Sequence, residues 1–343
     1  VTEPSATPPA DGPLDVVAVG SPLVDVLTRV PDDLLQRMDL VKGSMELVDL
    51  ARAEAIYGAM GPGREVSGGS AANTVAGVAA LGGRAGFTGR VADDQLGQVF
   101  THDIRASGVE FIPAVAPSDG GAEVVGTGRC LVLVSGDAER TMATHLGVAS
   151  TLAPGDVPAD LVARASVLYL EGYLWDLPPA MEAMRQAVAV AHDHEGSVAL
   201  SLSDPFCVER HQREFLDLVR DEIDVLFGNE EEVVRLFGAR SFEAALAAAE
   251  ETGVLVAMTR GAQGSVVTTP RGPVAVPAEP VGAVVDTTGA GDLYAAGFLH
   301  ALTHGAGPEE CARLGGLCAA EVISHLGARP EADLVELARA AGL

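Results

Sequence analysis

The chain is short of positive charge and of the residue that most often carries it to a phosphate. Lys42 is the only lysine among 343 residues, and the formal net charge is −26. Nucleic acid is excluded as a partner, because binding to its backbone needs clustered Lys and Arg. A phosphate loop of the G-x-x-x-x-G-K-[ST] type is excluded too, since Lys42 is followed by Gly43-Ser44 but lacks the motif's glycine directly before it. No Val-Ala-Ile-Lys kinase strand is present either. An anion must therefore be held by backbone amides, magnesium or arginine. Cysteine is equally scarce: Cys130, Cys207, Cys311 and Cys318 have neither a disulfide framework's density nor zinc-type spacing. They read as buried thiols in a reducing cytoplasm. No apolar run approaches the roughly 20 residues that span a bilayer, so no membrane partner is expected. Residues 1–10 lack the basic start and apolar centre of a signal peptide, and residues 1–13 read as a disordered tail.

What the chain has is apolar content, 48%, enough to fill the core of one large domain with an insertion or of two domains. Short apolar runs recur at 14–20, 167–170, 198–202, 225–227 and 254–258, separated by helix-like stretches such as 179–192, 209–220 and 242–251. Alternation of this kind specifies an α/β fold: a three-layer sandwich with a mostly parallel central sheet covered on both faces. Ligands of such sheets bind beyond the carboxyl ends of the strands, where Gly20, Asn229 and Thr259 fall. Two segments, 27–50 and 110–146, break the alternation. They are rich in β-branched residues, glycine and turn signals, including Pro117 to Gly121.

The run Asp286-Thr287-Thr288-Gly289-Ala290-Gly291-Asp292 leads from an apolar segment through glycines into a helix with an acid at its mouth. Unpaired amides and the helix dipole make that mouth an anion site, and Gly289, Ala290 and Gly291 permit close approach. Asp292 beside a bound phosphate would repel it, unless it takes a proton from the group that attacks the phosphate. As a lone motif, the run is equally a loop and helix cap.

It is not alone. Together with Ser67-Gly68-Gly69-Ser70-Ala71-Ala72-Asn73, Asn229-Glu230-Glu231-Glu232 and Thr259-Arg260-Gly261-Ala262-Gln263-Gly264, it resembles the four ordered signatures of the ribokinase-like (PfkB) carbohydrate and nucleoside kinases. Within that family, the stretches 168–173, 201–206 and 226–230 look closest to the adenosine-kinase-like branch. The resemblance implies a large α/β nucleotide-binding domain over 14–26, 51–109 and 147–343, with 27–50 and 110–146 forming a small β lid. It implies ATP and Mg2+ as cofactors, with a monovalent cation as a further candidate. The partner is then a small nucleoside or sugar, and the protein a monomer or a homodimer. The implied activity is transfer of the γ-phosphate to a nucleoside 5′-hydroxyl, adenosine being the first choice. A sugar kinase of ribokinase or fructokinase type is the alternative, and a non-catalytic binding member the distant one.

The implied roles divide as follows. Asp292 is the base, Gly289, Ala290 and Gly291 hold phosphate charge, and Arg140 is the lid arginine, with Arg90 and Arg260 as rivals. Asp25, Gly68, Gly69, Asn73 and Tyr173 bind the acceptor; many relatives carry Asn where this chain has Ser21. Thr259, Gly261, Gly264, Thr287 and Asn229 bind nucleotide, and Glu232 with Asn229 holds magnesium through water. A nucleobase needs an apolar or aromatic slot, and with 4% aromatics the candidates are Tyr173, Trp175, Phe206 and Met142.

Overall fold

In a computed structural model describing residues 12–116, 126–137 and 139–343, the alternation resolves into one nine-stranded sheet. The tail at 1–11 and the turn at 117–121 lie outside the described residues. The strand order is Val274–Val276, Ser265–Val267, Leu255–Thr259, Val225–Asn229, Ser197–Ser201, Ala165–Glu171, Leu14–Val19, Ala85–Thr88 and Glu110–Phe111. Pairing is parallel from Leu255–Thr259 across to Glu110–Phe111, and antiparallel only at the Ser265–Val267 edge.

Successive residues of a strand face opposite sides, and these strands bury both. Val16, Ala18, Val167, Tyr169 and Ala199 face the helices Ser70–Ala80, Ala290–Thr303 and Pro308–Val322. Leu168, Leu170, Val198, Leu200 and Leu226 face Pro178–Asp193, Pro205–Asp221 and Phe242–Thr252. All four cysteines are buried and unbonded. No helix among the described residues is long and apolar enough to cross a membrane.

The smaller sheet has five strands, ordered Met45–Leu47, Arg140–Gly147, Thr127–Val134, Leu23–Arg29 and Arg64–Gly68. Its outer face packs on the helices Asp32–Arg37 and Leu50–Ala59 through Val26, Leu34, Ile56 and Leu131. Its inner face carries Leu27, Cys130, Val132, Val134 and Met142. The extent differs from 27–50 and 110–146 at three places. Leu23–Leu27 ladders with Arg64–Gly68, so both belong to the small sheet. Leu50–Ala59 joins it because Ala53 and Ile56 bury on its outer face. Glu110–Phe111 instead extends the large sheet, and Ala114–Ala116 pairs with Arg90–Ala92 in a separate ladder. The polar sequence Arg64-Glu65-Val66-Ser67-Gly68 has little of a strand's signature; pairing with its neighbour makes it one.

Candidate active site

The chain adds strands on one side of Leu14–Val19, then returns to add Ala165–Glu171 on the other. Where winding reverses in an open α/β sheet, a crevice opens beyond the carboxyl ends of the strands. Gly20 and Glu171 end the two central strands there, and the small sheet overhangs them through Leu23–Arg29. Glu171 is buried, and its two oxygens accept the amides of Ser21 at 2.8 Å and Ala71 at 2.9 Å. One carboxylate thus ties the chain entering the small sheet to the start of helix Ser70–Ala80. Burial pushes its pKa up to about 7.

Asp292 lies in the first turn of helix Ala290–Thr303, directly across from that helix start. Its Oδ1 accepts from Ser70 Oγ at 2.7 Å, and its Oδ2 from Asn73 Nδ2 at 2.9 Å. Asn73 is buried and its Oδ1 has no partner, leaving one acceptor free beside the carboxylate. Burial raises the Asp292 pKa, opposed by the bonds from Asn73 and Ser70 and by the charges of Arg329 and Arg140. Gly289 caps the helix at φ +72°, and a Cβ there would fall 2.7 Å from that of Ala328. The amides of Gly291 and Asp292 have no partner within the helix. A Cβ on Gly291 would meet nothing within 4 Å, so the mouth is open.

Asp25 lies on the small sheet and is buried; its pKa is pushed up to about 7 by burial, against Arg329 and Arg140. A Cβ on Gly68 would lie 2.2 Å from the Asp25 carboxyl carbon, and one on Gly69, at φ +94°, 2.3 Å from the Ser21 carbonyl oxygen. Both glycines are therefore needed for Asp25 and the turn to approach each other. Arg329 closes the turn from below, donating to Ser67 O at 3.1 Å, Ala72 O at 2.7 Å and Ser67 Oγ at 3.0 Å.

The buried Asp286 is a junction. It accepts the Thr288 amide at 2.9 Å and hydroxyl at 2.6 Å, and the Gly327 amide at 2.8 Å. Arg140 of the small sheet pairs with it at 2.5 Å, so this arginine bridges that sheet and the loop before helix Ala290–Thr303. Its rivals are committed elsewhere: Arg90 pairs with Asp156 at 2.7 Å, and Arg260 with Glu230 at 2.8 Å while lying over Phe242. Lys42 pairs with Asp137 at 2.7 Å at the surface beside the small sheet.

At the neighbouring strand ends, Asn229 caps helix Glu230–Leu236 in a reciprocal capping box. Asn229 Oδ1 accepts the Glu232 amide at 2.9 Å, and Glu232 accepts the Asn229 amide at 2.8 Å and Nδ2 at 2.6 Å. Burial raises Glu232 to about 7. Thr259 pairs in register with Asn229, and Gly261 and Gly264 shape the turn that follows, both at positive φ. Thr287 is exposed on the anion loop. No three metal-binding side chains converge among the described residues. The oxygens of Asn229 and Glu232 would suit a Mg2+ ion that keeps much of its hydration shell.

Tyr173 lies between the two halves, its hydroxyl donating to Ser203 O at 3.3 Å and its environment charged by Asp204, Glu232 and Asp292. Trp175 is not a pocket residue: it is fully buried and packs edge-on against Phe215 at 5.7 Å. Phe206 is exposed beside Arg235. Met142 does lie on the inner face of the small sheet. Ser70, Glu171, Asp286 and Arg329 have no role assigned from sequence. The first three sit inside or beside recognisable motifs, whereas nothing local marks Arg329.

Comparison with known proteins bears on this geometry. A family model described as pfkB family carbohydrate kinase matches residues 44–333. The solved adenosine kinase from Sinorhizobium meliloti is 46% identical, covering 96% of this chain and 100% of that one, with a TM-score of 0.89. A probable sugar kinase from Rhizobium etli CFN 42 is 44% identical, covering 96% and 99%, with a TM-score of 0.90. A 5-dehydro-2-deoxygluconokinase of Bacillus subtilis (strain 168) is 29% identical over 296 residues, 78% of this chain and 85% of its own.

Proposed function

The chain belongs to the pfkB family of carbohydrate kinases, and from that premise we propose that it transfers the γ-phosphate of ATP, with Mg2+, to the primary 5′-hydroxyl of a nucleoside, adenosine first. Phosphoryl transfer to an alcohol comes with the family. The observation that carries the rest is the placement of Asp292. Its carboxylate stands at an open helix mouth, held by Ser70 and Asn73, with the unpartnered Asn73 Oδ1 beside it.

In this reading Asp25 and Asn73 orient the acceptor hydroxyls, and Asp292 takes the proton of the attacking one. The amides at Gly291 and Asp292 face the charge that accumulates on the transferred group. ATP supplies the phosphoryl group when bound. Gly289 shapes the loop, Thr287, Thr259, Gly261 and Gly264 would line the nucleotide, and Glu232 with Asn229 would hold Mg2+ through water. The small sheet is the lid over the acceptor, and the large sheet carries the nucleotide. Closure excludes water that would otherwise hydrolyse ATP.

A nucleoside is preferred because the inner lid beside Asp25 is an apolar wall, Leu27, Cys130, Val132 and Met142, suited to a flat ring. The similarity to a named adenosine kinase points the same way. A sugar acceptor is the second reading, favoured by the likeness to the 5-dehydro-2-deoxygluconokinase. The test is ADP formation with adenosine, inosine, guanosine, ribose, fructose and 5-dehydro-2-deoxygluconate in parallel. Turnover of nucleosides supports the proposal. Turnover of sugars with none of nucleosides replaces it by the second reading.

A further inference from the structure

Arg329 belongs to none of the four motifs. It ends a short segment, Leu326 to Arg329, that follows helix Pro308–Val322 and lies between the two halves of the site. At one end, the Gly327 amide is held by Asp286, and Ala328 packs where a Cβ of Gly289 would be. At the other, the guanidinium fork spans the acceptor turn, gripping Ser67 through its carbonyl and hydroxyl and Ala72 through its carbonyl. Between those grips lie Gly68, Gly69 and Ser70, the last a direct donor to Asp292. Ser67 is pinned a second time through its amide, by Asp103 at 2.9 Å.

The same guanidinium faces carboxylates on three elements: Asp25 on lid strand Leu23–Arg29, Asp103 on helix Gln95–Ala106 and Asp292 on helix Ala290–Thr303. Burial lowers its pKa only to about 10, so it is cationic at neutral pH. Arg140 is the other cation acting on Asp25 and Asp292. Asp286 adds negative charge near Asp25, and Glu171 faces Asp292 from the end of strand Ala165–Glu171. Arg140 spends much of its charge on Asp286, which it touches directly. Among the described residues Arg329 hydrogen-bonds only neutral oxygens, so its charge is left to the carboxylates around it.

We propose that Arg329 is a positioning residue of the reaction centre, whose fork sets the shape of the Ser67 to Ala72 turn and whose positive charge faces Asp25 and Asp292 as a counter-charge. It does not touch the acceptor; it acts through the groups that do. The proposal rests on the reading of Asp292 as base given above.

Lysine and methionine substitutions separate the two roles, because lysine keeps the charge but not the planar fork, and methionine keeps neither. The experiment is the pH profile of kcat/KM, with KM for adenosine, or for the acceptor turned over fastest in the panel above. The Arg329→Met enzyme is expected to show its acid limb moved to higher pH by about one unit or more, because both carboxylates lose a counter-charge. Its KM for the acceptor is expected to rise about tenfold or more from the loosened turn. Arg329→Lys should bring the limb back towards wild type while KM stays raised. Acid limbs that stay at the wild-type position in both variants, with equal losses of activity, would overturn the proposal and leave Arg329 a structural tie. If the methionine variant does not fold, the lysine variant decides alone: a raised KM with the limb retained supports the proposal, and an unchanged KM overturns it. Asp292→Asn run alongside distinguishes the two readings, since an active Asn variant removes the base itself, whereas an inactive one with unmoved Arg329 limbs removes only the present proposal.

Discussion

Replacing Asp292 with asparagine removes a proton acceptor at almost no change in volume, and the surroundings can absorb the change. The new carbonyl oxygen can keep the 2.7 Å bond from Ser70, and the new amide then faces Asn73. Asn73 Oδ1 is unpartnered, so turning its amide over supplies the missing acceptor. The carboxylate being removed is one whose charged form burial disfavours, so ligand-free stability should hold or rise. A general base contributes about 10²- to 10⁴-fold, or roughly 3–5.5 kcal/mol of barrier. The Asn variant is therefore expected to lose at least about a hundredfold in kcat. It should also keep its ATP affinity and melt no lower than wild type. Coupled ADP formation at saturating ATP and acceptor, ATP titration calorimetry and a thermal melt measure the three quantities. Turnover within about threefold of wild type would refute the reasoning and return Asp292 to a tie between two helices.

Three further outcomes are expected. Gly68→Ala places a Cβ 2.2 Å from the Asp25 carboxyl carbon, so Asp25 must move and acceptor KM should rise by about tenfold or more while ATP KM holds; an unchanged acceptor KM would detach Asp25 from substrate. Asp25, Glu171 and Glu232 are all held at about 7, above ordinary values of 3.8 and 4.5, so the folded state keeps protons that the unfolded state releases. Stability of the ligand-free protein should then fall as pH rises across that window, by up to about 1.4 kcal/mol per unit for each group, and a melting temperature flat or rising from about pH 5 to pH 7 would contradict this. Trp175→Ala should destabilise by about 3–5 kcal/mol, with Trp175→Phe milder and acceptor KM unchanged in both, whereas a raised KM at unchanged stability would put the indole in the pocket.

The large sheet was legible because its strands are buried on both faces, and such strands read as continuous apolar runs whatever surrounds them. The runs near 167, 198, 225 and 254 all became strands of one sheet. The small sheet was harder to bound. Arg64–Gly68 is a strand by virtue of its ladder with Leu23–Leu27, and Leu50–Ala59 joins the small sheet through Ala53 and Ile56, contacts that no local window contains. The aromatic candidates divided for the same reason: an indole carries the same signal in a core as in a pocket, and Phe215 decided the matter for Trp175.

Within the site, the residue sequence alone determined every position whose chemistry depends on neighbours along the chain. Gly289 to Asp292 form a helix mouth, Asn229 and Glu232 close a capping box three residues apart, and Gly69 turns the chain at φ +94°. Such features follow from local geometry, so spacing reveals them. Tertiary structure alone decided which charges meet. Arg140 finds Asp286, Glu171 finds Ser21 and Ala71, and Arg329 reaches back 262 residues to Ser67. A carboxylate's proton affinity depends on burial and on charges a few ångströms away in space, and neither quantity is a function of position along the chain.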